Sequence, residues 1–112
     1  MVQLGQENFA NANPIASAKG GVAGYIDLHR ALASAGDDHA LFELGCAYST
    51  GSHGVACDLI EAHKWFNLAA SKGHEDAPHC RCEIAEEMTP REIAEAQRRA
   101  RAWLLERSAL NG

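Results

Sequence analysis

The chain has 112 residues, enough for one small domain, and 15 acidic against 10 basic side chains give it a formal charge of −5. That balance argues against a nucleic-acid partner, whose phosphates are met by Lys and Arg, and no apolar run approaches the ~18–20 residues of a membrane span. Residues Met1 to Asn8 have neither the basic end nor the apolar core of a signal peptide, so the expectation is a cytoplasmic chain with reduced cysteines.

Residues 1–20 hold Asn, Gln, Ala and a Pro, with Leu4 and Phe9 as isolated apolar points, and predict a loose N-terminal tail. The remaining residues, 21–112, predict a single all-α domain of about five helices. From Gly21 to Ala35 one helical face carries Val22, Tyr25, Leu28, Leu32 and Ala33.

Asp37 to Gly73 is the best-defined stretch. Leu41, Leu44, Gly45 and Tyr48 fall at i, i+3, i+4 and i+7, on one face of a helix. Gly45 inside that helix costs about 1 kcal/mol against alanine, which suggests close backbone approach. Gly51 suits a left-handed cap, and Asp58 reads as the next N-cap, with Glu61 completing a capping-box-like pair. Leu59, Ala62, Trp65, Phe66 and Ala69 form a second apolar stripe, which Gly73 ends. The short connection predicts an antiparallel pair.

A further helix is expected from about Glu75 to Met88, with Ala77, Cys80, Ile84 and Met88 inward. Thr89, Pro90 and Glu92 then form an N-cap, first helical residue and capping box. The last helix runs to about Ala109, with Ile93, Ala96, Ala100, Trp103 and Leu104 inward and Glu95 pairing with Arg99 outside. Arg98, Arg99 and Arg101 read most simply as a solvated face, and alternatively as a patch for an acidic partner.

Gly36-x-x-x-Ala40 recurs 37 residues on as Gly73-x-x-x-Ala77, and Ala62-x-x-Trp65 recurs 38 residues on as Ala100-x-x-Trp103. Such periods mark arrays in which each hairpin buries a face on the next. At Ala40, Leu44, Gly45, Tyr48, Gly51, Gly54, Val55, Asp58, Ala62, Trp65, Ala69, Ala70 and Gly73 the chain resembles the Sel-like repeat family, relatives of the tetratricopeptide repeats. The resemblance covers one full repeat, 37–73. It implies an α-α superhelix of antiparallel helix pairs, with a degenerate half repeat at 21–36 and a divergent capping pair at 74–110. In that last pair Arg81 and Cys82 stand where the family has Leu and Gly, Ala85 stands where it has Tyr, and the Gly-Val loop is missing.

The resemblance also implies a non-catalytic module that holds a protein or peptide on its concave face. The outward residues of the first helices, His39, Glu43, Cys46, His79, Cys82, Glu83 and Glu86, are the candidate partner-binding set. Their acidic bias points to a basic or neutral peptide. The densest His and Cys cluster, His74, His79, Cys80 and Cys82, lacks Cys-x-x-Cys spacing, but the helical wheel puts His39, Cys46, His79 and Cys82 on one surface, which offers an alternative, a metal- or redox-responsive site. A Cys46–Cys82 disulfide is disfavoured in a reducing compartment. No Ser-His-Asp order, phosphate loop or carboxylate pair stands out, so neither catalytic residue nor cofactor is predicted. A short array leaves apolar ends to cover, which makes a homo-oligomer a further possibility.

Overall fold

The structure is a computed structural model that describes residues 24–111. The expected tail and Val22 lie outside the described residues. Among those described, the chain forms five helices and no strand: α1 (Gly24–Ser34), α2 (Asp38–Thr50), α3 (Leu59–Ser71), α4 (Ala77–Ala85) and α5 (Pro90–Asn111). α3 is the hub, packing against α2, α4 and α5, while α1 packs on α2.

The α2–α3 pair is fixed by its ends. Asp37 caps α2, its carboxylate accepting from the His39 and Ala40 amides at 2.9 and 3.2 Å. Gly51 ends it at φ +71°, with the amides of Gly51 and Ser52 both donating to the Ala47 carbonyl. Asp58 caps α3 by accepting from the Glu61 amide at 3.1 Å, an arrangement worth about 1 kcal/mol. The expected capping box stops there. The Asp58 amide donates instead to the Tyr48 carbonyl at 2.9 Å, leaving the Glu61 carboxylate free to turn elsewhere. Tyr48 meets Asp58, Gly45 meets Phe66, and Phe42 stacks on His74, so the two helices run antiparallel. A Cβ on Gly45 would sit 2.6 Å from the Phe66 ring, which is why only glycine fits there.

Trp65, Phe66, Leu41, Leu44 and Leu68 are the largest fully buried side chains. The two predicted stripes are therefore the core, except that Leu59 is only half-buried. α1 departs further from expectation. Ala33 is its one buried residue, Tyr25 and Ile26 are half-buried, and Leu28 and Leu32 are 55% and 37% exposed. An edge helix resting mainly on one neighbour buries one narrow stripe, and these leucines lie off it. Leu104, at 45% exposure, fails for the same reason on α5, where Ala96, Ala100 and half-buried Trp103 face α3. α4 stops at Ala85, and Glu86 and Glu87 turn the chain so that Met88 is buried from outside the helix.

The sequence recurrences have structural counterparts. The Asp37 amide donates to Leu32 and that of Gly36 to Ala33; 37 residues on, His74 donates to Ala69 and Gly73 to Ala70. Gly36 and Gly73 take φ of +99° and +95°, the left-handed position of a Schellman ending. Ala40 and Ala77, four residues past these glycines, are both buried. The offset of 38 marks contacts: Glu61 meets Arg99 at 2.8 Å, and Trp65 meets Trp103 edge-on at 5.8 Å. Finally, Tyr25 on α1 stacks on His53 of the α2–α3 loop at 3.6 Å. His53 is the one described non-glycine residue at positive φ, +58°, a conformation costing roughly 1–2 kcal/mol.

Candidate functional site

The α2–α4 face carries two locally built pairs. His39 lies 3.2 Å from Glu43, and His79 lies 3.3 Å from Glu83, each at i,i+4. Glu86 is exposed in the turn after α4. The histidines differ in setting. His39 approaches an aromatic row in which Phe42 stacks on His74 at 4.2 Å and His39 lies 5.9 Å from His74. That row joins α2 to the segment leading into α4. Tyr25 donates to Glu43 at 2.7 Å. Burial, then that carboxylate, pushes the Tyr25 phenol up to about 12.

Of the cysteines only Cys46 departs from expectation: it packs, half-buried, against the core, as Cys80 does, while Cys82 lies outside as expected. Two residues on a helix subtend about 200°, so Cys82 points outward and is exposed. Burial first, then the charges of Glu43 and Cys80, push the Cys46 thiol up to about 11. Such a thiol is not an activated nucleophile. All four cysteines are free, and among the described residues no three His, Cys, Asp or Glu side chains are placed to hold a metal ion. The described structure does not bring His39, Cys46, His79 and Cys82 together: each histidine turns to a glutamate on its own helix, Cys46 packs toward the core from α2, and Cys82 is exposed on α4.

On the other side of α3 lies a cleft of about 220 Å³ lined by Lys64, Arg98, Arg99, Ala102, Trp103 and Glu106. Its walls are held by the Glu61 carboxylate that the capping box did not use. Glu61 accepts from Arg99 at 2.8 Å and lies 3.5 Å from Lys64. Glu95 in turn accepts from Arg98 at 2.9 and 2.6 Å and from Arg99 at 2.8 Å. Those hydrogen bonds, Arg98 first, hold the Glu95 carboxyl down at about 2. Lys64 also lies 4.2 Å over the Trp65 ring, and Arg107 sits 5.0 Å over that of Trp103.

The sequence places Arg98 and Arg99 on a charged face but gives no role to Lys64 or Glu106. The signal was the recurrence of Trp65 at Trp103, which stacks α3 on α5 and brings Lys64 to the arginines. No described helix is long and apolar enough to cross a membrane. Comparison with known proteins finds no matching family model, curated protein or solved structure.

Proposed function

We propose that the chain is a short array of Sel-like helix pairs that holds a basic or neutral peptide segment without chemistry. The recurrence of an open His–Glu pair on α2 and on α4, with Glu86 beyond it, carries this proposal. Two further features support it. Family-pattern residues have structural tasks, among them the Asp58 cap and the Gly45 contact. The Schellman endings recur 37 residues apart. A reducing, cytoplasmic setting suits four unpaired cysteines.

Selection from a displayed library of random peptides tests the proposal. Lysine- or arginine-containing sequences should be enriched, and alanine at Glu43, Glu83 and Glu86 together should abolish their capture. Unchanged capture by that variant would place the partner on another surface. Self-association is a second reading, favoured by exposed Leu28 and Leu32 on α1 and Leu104 and Leu105 on α5. Sedimentation of the chain against a variant with polar residues at those four positions decides it.

A further inference from the structure

We infer that the α3–α5 cleft is a second binding site, of opposite sign to the α2–α4 face, which takes an acidic peptide segment carrying a glutamate or aspartate beside an apolar residue. The inference stands independently of the α2–α4 proposal, because it rests on different residues and a different charge.

Charge imbalance is the first ground. Three cations, Lys64, Arg98 and Arg99, share two carboxylates, Glu61 and Glu95. Both Glu95 oxygens and one of Glu61 are taken by arginine, and Lys64 is left with a single 3.5 Å contact for its three N–H groups. Only 13% of the Lys64 side chain is exposed, and its ammonium faces the cleft that Lys64 lines. Burial accordingly pulls its ammonium below the ordinary lysine range, and the neighbouring charges of Arg30 and Arg99 act in the same direction against Glu61. An incoming carboxylate supplies the missing acceptor. With Arg107 over Trp103 and Arg30 over Trp65, the neighbourhood is cationic on a chain whose net charge is −5.

Size and shape are the second ground. At about 220 Å³ the cleft falls below the ~300–1,000 Å³ of small-molecule and cofactor pockets and above the ~150 Å³ that accepts benzene. It therefore fits a side chain or two. Ala102 and Trp103 give it an apolar floor. Leu105, 71% exposed, follows Ala102 by three residues and Arg98 by seven, which sets it on the rim of the same helix face. Glu106 on the lining, with the acidic chain as a whole, disfavours a polyphosphate or nucleic acid, which needs several uncompensated cations.

Fluorescence anisotropy with a labelled, end-blocked peptide of alternating glutamate and leucine tests the site, the all-glutamine counterpart serving as control. The acidic peptide should bind, and the glutamine peptide should bind at least about tenfold more weakly, since several carboxylates are lost. Lys64→Met, which keeps the packing on Trp65, should weaken binding roughly fivefold, the worth of one partly exposed ion pair. Leu105→Ser, at a position that cannot disturb the fold, should weaken it by a similar factor, and Glu106→Gln should tighten it about twofold to fivefold. Alanine at Glu43, Glu83 and Glu86 should leave this affinity intact, which separates failure here from failure of the α2–α4 proposal. Equal binding of the two peptides would overturn the inference, as would unchanged affinity in all three cleft variants. Displacement of the acidic peptide by single-stranded RNA, or a Lys64-dependent dimer that excludes it, would overturn it in favour of those occupants.

Discussion

The two charged surfaces of this molecule are built by different means. On the α2–α4 face each ion pair closes within one helix turn, His39 with Glu43 and His79 with Glu83, and each would form in an isolated helix. At the α3–α5 cleft the central carboxylate, Glu61, is shared with Arg99 from 38 residues away. Local pairs on a helix surface add a few tenths of a kcal/mol and leave both partners in water. A pair spanning two helices is shielded by both, and its geometry depends on how the helices stack. Apart from Glu43, which also accepts from Tyr25 of α1, the first surface decorates the fold, whereas the second is part of its assembly.

The sharpest way to break this contrast is to remove what lies beneath the cleft. Trp65→Ala should destabilise the protein by about 3–5 kcal/mol in chemical denaturation, because a fully buried indole leaves a cavity. Gly45→Ala comes next, at about 1–3 kcal/mol, since its methyl group would enter the Phe66 ring. Glu61→Gln should cost about 1–2 kcal/mol, against under ~0.5 kcal/mol for Glu83→Gln, whose only partner among the described residues is His79 one turn away. Equal losses at the two glutamates would erase the distinction between local and assembled pairs.

His63 sharpens the comparison through pH. It is buried, its Nδ1 has no hydrogen-bond partner among the described residues, and burial, then the charge of Arg81, lowers its pKa from 6.5. The unfolded chain therefore takes up a proton near pH 6.5 that the folded chain does not. Stability should be level above that pH and fall as pH drops below it, and His63→Leu should flatten the decline. The smallest effect is kinetic. In mass-mapped alkylation at pH 8, exposed Cys57 and Cys82 should label first and Cys46, its thiol pushed up to about 11, last. A Cys46 that labels as fast as Cys82 would mean that it does not pack against the core as described.

What the sequence disclosed follows the same line between local and assembled. The stripe of Leu41, Leu44, Gly45 and Tyr48 was legible because periodicity is a property of one helix. So was the box at Thr89 and Glu92, which closes reciprocally at 2.9 and 3.1 Å. The similar signal at Asp58 and Glu61 misled, because the Asp58 amide found the Tyr48 carbonyl and the glutamate crossed to α5. Leu28, Leu32 and Leu104 were placed inward because an apolar pattern marks a face without saying whether a neighbour covers it. Cys80 and Cys82 fall on the inward and outward sides that the helical pattern gives them, whereas Cys46, expected outward, packs half-buried against the core. The cleft was the least legible feature, since Lys64 and Arg98 become neighbours only once Trp65 rests on Trp103.

The stack of Tyr25 on His53 has a consequence for how the molecule breathes. α1 contributes one buried residue, Ala33, with half-buried Ile26 beside it and two side-chain hydrogen bonds to α2, so it is held less firmly than the α2–α3 pair and its amides should exchange faster. The α2–α3 loop is held to it through that ring and keeps His53 at positive φ while the stack lasts. When α1 lifts, the loop loses its brace and His53 can relax. Amide exchange should therefore report α1 and residues 52–57 as one opening unit, released together ahead of the slow core formed by α2 and α3.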